Sequence, residues 1–152
     1  MSICWYSDDE ILIEFSCMPN ISVRYASCFS SENDVVQINK KPFVNNVEFM
    51  VVLQDKISDE TYKFLIPKGY SWDGATIPRI FWRLIGSKTD NRFLIPSLIH
   101  DVLCENHDYI DNDRYFSTIV FERLLYVSKV NPFSRWLIKH SVDNFQKLCN
   151  WN

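Results

Sequence analysis

Asp73, His100, Asp101 and Asp113 are the side chains of this sequence whose types and order best suit proton transfer or cation binding. His100 and Asp101 are consecutive in an apolar stretch, Asp113 opens the next polar-to-apolar segment, and Asp73 lies in a glycine-containing loop upstream. The connection at 106–110 is short, so the helices on either side are expected to be antiparallel neighbours that bring Asp113 level with His100. Such a nest of imidazole and carboxylates can hold zinc or another divalent metal ion and activate a bound water. His100 would be the base or a ligand, Asp101 its partner or a ligand, and Asp73 and Asp113 cation ligands. The same residues also fit a closed polar cluster, with His100 buried and hydrogen-bonded to Asp73 or Asp113, and Asp111 or Asp113 stabilising a helix start. A narrower set, His100, Cys104 and His107, shares one helix face and offers zinc ligands, although Cys104 fits a core position equally well.

The loop that carries Asp73 has its own signature. All three glycines, Gly69, Gly74 and Gly86, fall in one short part of the chain, and glycine marks positive φ or close backbone approach. Residues 66–79 place small residues between Pro67 and Pro78, ahead of a helix expected from Thr76 to Gly86. Asp73 can then sit near a helix N-terminus, where free N–H groups favour negative charge, and Lys68 and Arg79 can receive an anion. Alternatively Asp73 only pins a turn while Trp72 plugs the core.

The elements that must position these residues divide by period. Short runs rich in Val, Ile and aromatics predict strands at 11–15, 22–29, 34–38, 47–53 and 61–66, the last stopped by Pro67 and turned by Lys68 and Gly69. Helical spacing takes over downstream: a helix at about 92–105 with Pro96 in its first turn, a third from near Asp111 or Asn112, and a fourth beyond the Asn131-Pro132 break. The expectation is an α+β fold in one compact domain, 1–152, with an N-terminal antiparallel β-sheet packed against three or four C-terminal helices.

Composition removes several functions. With 47% hydrophobic and 15% aromatic residues the chain orders itself, and a net charge of -3 gives no general reason to bind nucleic acid. No apolar run is long enough for a membrane helix, and residues 1–5 lack the start of a signal peptide. The five cysteines form no CxxC pair, so buried free thiols in a reducing compartment are expected. Phe81, Trp82, Phe116, Tyr126, Trp136 and Phe145 recur at helical spacing and read as core rather than as a base-stacking platform. Arg135, Lys139 and Lys147 read as a solvated face.

The order of 67–70 (PKGY), 72–79 (WDGATIPR), Phe81-Trp82 and 98–103 (LIHDVL), followed by Asp113 and Phe116, resembles the DUF1353 family, which recurs in tailed phages and prophages. The resemblance covers roughly 47–129. It implies that Asp73, Gly74, Pro78, His100, Asp101 and Asp113 are signature positions, with Val102 and Cys104 standing where that family often has an aromatic residue. It also implies a phage-associated source, but no reaction. Together the residues and the resemblance give two expectations. One is a phage-associated hydrolase, metal-dependent or not, in the host cytoplasm. The other is a non-enzymatic virion component or accessory module that meets phage or host protein partners.

Overall fold

The computed structural model describes residues 2–74, 91–107 and 114–148, with side chains followed to 142. The expected helix from Thr76 to Gly86, the start of the third helix near Asp111, and the residues Pro78, Arg79, Phe81, Trp82, Asp113 and Cys149 lie outside the described residues. So do the side chains of Phe145 and Lys147.

The architecture is α+β, as the periodicities require. One antiparallel sheet has the order β1-β2-β5-β6, from β1 (Ile3–Ser7), β2 (Ile11–Phe15), β5 (Phe49–Asp55) and β6 (Glu60–Ile66). Alternation sets its register. Ile11, Ile13 and Phe15 of β2 share the buried face with Phe49, Val51 and Leu53 of β5, and Ile13 pairs with Leu53. Each fully buried side chain of this size contributes about 1.5–3 kcal/mol, which is why the pattern fixes the pairing. A second sheet of order β3-β4-β7 is built from β3 (Ile21–Val23), β4 (Phe43–Asn45) and β7 (Ser71–Trp72). It is small, but it carries the chain into the Asp73 loop.

Three expectations about the first half need correction. Residues 34–38 lie not in a strand but in α1 (Glu32–Lys40). There Ser31 caps the helix by accepting from the Asp34 amide, and Glu32 and Asp34 sit in the first turn, outweighing the β preference of Val35, Val36 and Ile38. The strand expected at 22–29 is confined to β3, because Tyr25 and Phe29 stand in solvent with no sheet to bury them. Strands β1, β4 and β7 are not among the expected strands: β1 lacks a clean alternation of buried and exposed residues, and β4 and β7 are too short to show one.

Downstream the helices follow expectation. A 3-10 turn at Asn91–Phe93 leads into α2 (Leu94–Glu105), and Pro96 lies in its first turn, where a missing N–H costs nothing. Next come α3 (Arg114–Val127) and α4 (Pro132–Leu148), the latter opening with Pro132 while the Asn131 side chain accepts from the Ser134 amide at 2.8 Å. Among the described residues no helix is long and apolar enough to cross a membrane.

The buried side chains form two clusters. The larger joins both sheets to α2 and α3 through Phe15, Phe43, Trp72, Leu98, Leu103 and Val120. The smaller gathers Phe93, Phe121, Leu125, Val130, Ile138 and Val142 beneath α4. Two expected core aromatics do not belong to either, since Tyr126 and Trp136 are each 56% exposed. Nor are the described thiols buried: Cys4 and Cys28 are exposed, Cys17 and Cys104 half-buried, and all four are free.

A charged clamp ties the β1–β2 turn to α3. Arg123 Nε donates to Asp8 Oδ2 at 2.9 Å, and its other nitrogens meet Glu10 and Glu122. The Asp8 carboxylate also accepts from the Glu10 and Ile11 amides at 2.7 and 2.8 Å and from the Tyr6 hydroxyl at 2.6 Å. Burial works against charge on Asp8, yet these donors outweigh it and hold the carboxyl well below its usual range. Tyr6 is pushed up to about 12 by burial and by its bond to Asp8. Arg135, expected on a solvated face, instead lies over the Tyr126 ring at 4.9 Å and 3.6 Å from Glu122.

Candidate functional site

Two side-chain bonds lay the Tyr70–Asp73 segment along α2. Trp72 is fully buried, and its Nε1 donates to Ser97 Oγ at 2.9 Å while that hydroxyl donates to the Leu94 carbonyl at 3.0 Å. Two residues earlier on the same side of the strand, Tyr70 donates through its hydroxyl to Glu105 Oε2 at 2.6 Å, and its ring stacks on Trp72. Ser97, Asp101 and Glu105 are successive positions four apart on one helical stripe, so the two bonds bracket Asp101. Asp73, next to Trp72, comes down against the Asp101 carboxyl.

The backbone on the other side of the segment is pinned by Asn45, a fully buried residue of β4. Its amide nitrogen donates to the Pro67 carbonyl at 3.0 Å, its main-chain N–H donates to Tyr70 O at 2.8 Å, and its carbonyl accepts from the Gly69 amide at 2.8 Å. Both described glycines of the window have positive φ, Gly69 at 92° and Gly74 at 95°. Gly74 has a second reason to be glycine: a Cβ there would stand 2.5 Å from the Phe43 ring. Asp73 is thus held between a buried indole and a glycine pressed on a buried ring.

The electrostatics of the bracket are unusual. Asp101 is pushed up to about 9, first by burial, then by the adjoining Asp73 carboxyl and by Glu105, with Lys41 opposing. It is protonated at neutral pH. Its Oδ2 is buried and has no hydrogen-bond partner among the described residues. Tyr70 is also pushed up, by burial and by its bond to Glu105. Lys41 Nζ, 3.6 Å from Glu105, is the cation at the rim.

His100 belongs to a different environment. Its ring meets Phe121 edge-on at 4.6 Å, lies 3.5 Å from the Cys104 sulfur, and approaches Asp101 at 3.9 Å. Burial pushes its pKa down to about 3, so the imidazole is neutral. The structure therefore brings Asp73 and Asp101 together, sets His100 beside them with its ring in the helix interface, and leaves Asp113 outside the described residues. Among the described residues no group of three His, Cys, Asp or Glu side chains is arranged to hold a metal ion, and His107 does not complete a set with His100 and Cys104. Tyr70, Lys41 and Asn45 are the residues to which the sequence assigned no site role, while Glu105 shares a helix face with Asp101 at the four-residue step.

A family model described as "Protein of unknown function (DUF1353)" matches residues 48–142, more than half of the chain. The chain belongs to the DUF1353 family. The matched span of this DUF1353 protein contains Tyr70, Asp73, Asp101 and Glu105 but neither Asn45 nor the Asp8 end of the clamp. An "Uncharacterized protein y4jT" from Sinorhizobium fredii is similar to it, with 38% identity over 53 residues, 35% of this chain and 16% of the relative's length. The match thus spans about a sixth of that protein. No solved structure matches.

A cleft of about 580 Å³ lies between β6 and the C-terminal half of α2, lined by Tyr70 but by neither Asp73 nor Asp101.

Proposed function

We propose that this DUF1353 protein is a phage-associated hydrolase whose reacting groups are Asp73 and Asp101. The observation that carries the reading is the buried Asp101 carboxyl lying against Asp73, with an Oδ2 that has no hydrogen-bond partner among the described residues. Two carboxyls this close hold one proton between them, and a pair split into one acid and one base suits addition of water to an ester or amide. Asp73, exposed at the rim, takes a proton from water as its oxygen adds to the substrate carbonyl. Asp101 gives its proton to the departing oxygen or nitrogen as that bond breaks. The pair again holds one proton, which returns from Asp73 to Asp101 across their contact.

His100 acts as a positioning residue in this reading, because a neutral ring packed on Phe121 fixes the turn of α2 that presents Asp101. Zinc or another divalent metal ion is the proposed cofactor, with Asp73 and Asp101 as its core ligands and His100 and Asp113 completing the set. When bound, such an ion would displace the Asp101 proton and polarise the substrate carbonyl, so the acid role of Asp101 and the positioning role of His100 belong to the metal-free form. Action in the host cytoplasm is the proposed setting.

Turnover of capped ester and amide substrates by the purified full chain tests the proposal. Asp101→Asn is expected to lower it about 100-fold or more while leaving the circular dichroism unchanged. Calorimetric titration with zinc or manganese at pH 7, in two buffers of different ionisation enthalpy, is expected to show release of about one proton per ion bound. Wild-type protein that neither turns over these substrates nor takes up either cation overturns the reading. The second reading, a virion or accessory interaction module, rests on the exposure of Phe133 at 59% and Trp136 at 56% on α4.

A further inference from the structure

Lys63, Phe64 and Leu65 are consecutive in β6, so their side chains alternate between the two faces of the sheet, yet all three line the cleft. A hollow on one face would be lined by every second residue. The cleft therefore runs along the backbone edge of β6. In the sheet order β1-β2-β5-β6 this strand is terminal, and among the described residues no strand pairs with its outer side. In an antiparallel ladder every second residue of such an edge aims both its N–H and its C=O outward. The opposite bank is α2, where Val102 and Asn106 lie one turn apart. At about 580 Å³ the space is of the size that encloses a ligand rather than a solvent dimple.

From this geometry we infer that the cleft binds an extended peptide, added as a strand to the edge of β6; the inference rests on the hydrolase reading and names its substrate class. An edge strand supplies backbone hydrogen bonds to any extended chain, and pockets for alternate side chains supply the selectivity. Apolar side chains stand on both faces of the strand. Met50 and Leu65 are cross-strand partners on the outer face, 43% and 50% exposed, while Phe64 and the buried Val102 lie on the inner side. A peptide in register would thus place apolar side chains alternately up and down. Lys63, exposed on the outer face beside them, supplies the charge that selects an acidic side chain.

The same lysine argues against a second copy of this chain as occupant. Edge-to-edge pairing of two β6 strands about their middle would bring one Lys63 toward the other, and like charges facing across a ladder are destabilising. A foreign segment with an acidic side chain meets no such repulsion. Tyr70 links the groove to the chemistry, since its ring forms the cleft wall and its hydroxyl is bonded to Glu105, one turn of α2 beyond Asp101.

Selection from a synthetic library of random ten-residue peptides with capped ends, on immobilised full-length protein, tests the inference. Enriched peptides are expected to alternate apolar and polar positions and to include an acidic residue. N-methylation at every second amide of a selected peptide is expected to weaken binding at least tenfold, with the intervening positions unaffected. Lys63→Glu is expected to reverse the preference from acidic to basic residues. No enrichment, or equal tolerance of N-methylation at all positions, overturns the strand-addition inference. Self-association abolished by Leu65→Arg overturns it in favour of a second copy. Selected peptides that bind wild type and Asp101→Asn alike, with cleavage only by wild type, support both the groove and the hydrolase. Bound peptides that wild type leaves uncut sink the hydrolase reading and keep the groove, whereas cleavage of simple esters or amides without strand-like binding does the reverse.

Discussion

Two aspartates of this chain have opposite fates. Asp8 is surrounded by donors, two amides, a tyrosine hydroxyl and the Arg123 guanidinium, and stays charged far into the acid range. Asp101, with 17% of its side chain exposed, faces another carboxyl, has a buried oxygen with no donor, and keeps its proton past neutrality. The first arrangement is what folding alone produces, since a charge taken from water is stable when its lone pairs are filled. The second costs stability and persists because neighbours hold it: Trp72 on Ser97 and Tyr70 on Glu105 fix the strand against the helix. A satisfied carboxylate marks architecture, and an unsatisfied one is where chemistry is to be sought.

The contrast can be broken from either side. The largest effect is expected from Gly74→Ala, which combines a positive φ with a methyl pressed on Phe43 and so displaces Asp73 from its partner. A loss of about 2–4 kcal/mol in urea denaturation is expected, with any hydrolytic activity lost as well. Arg123→Ala opens the clamp and leaves Asp8, Glu10 and Glu122 without their shared cation, and a loss of about 2 kcal/mol in the same measurement is expected, reduced by salt.

Asp101→Asn should give the smallest change and the opposite sign. The new amide can donate to Asp73 and needs no proton, so a gain of about 1 kcal/mol at pH 7 is expected. The sign follows from linkage. The folded-state pKa of Asp101, about 9, lies above its ordinary 3.8, so its contribution to stability is full below pH 3.8 and is lost as pH rises through 9. The variant is expected to lack that decline when unfolding is measured from pH 5 to 9. A variant less stable than wild type at pH 8 would show that Asp101 is as well satisfied as Asp8.

The α+β division of the chain was legible in the sequence. Residue type groups Asp73 and Asp101 with His100 and Asp113, and Gly69 and Gly74 announce a special backbone because only glycine adopts their φ cheaply. The helices were legible from three- and four-residue spacing, and β2 from clean alternation. Failures came where local and distant terms compete. At 34–38 a serine cap and early acids defeated β-branched residues, and the three-residue β4 pairs only because β3 and β7 flank it. Tyr70 and Asn45 were illegible because their roles depend on contacts 35 and 22 residues away in sequence. The His100 ring, read as reaching the carboxylates, approaches Asp101 at 3.9 Å and also packs edge-on against Phe121, a partner no periodicity predicts.

The two buried clusters have a consequence for how this chain breathes. Phe121 sits in the cluster beneath α4, while the helix that bears Asp101 is rooted in the other cluster through Leu98, Ile99 and Leu103. Cooperative units of a protein follow such divisions, and the one resting on fewer buried side chains opens at lower free energy. Detachment of α4 would leave the sheet, Trp72 and the carboxyl pair in place while freeing Phe121 from its own packing. The His100 imidazole, lodged against that ring, would then be the first group near the site to gain water and, below its ordinary pKa, a proton.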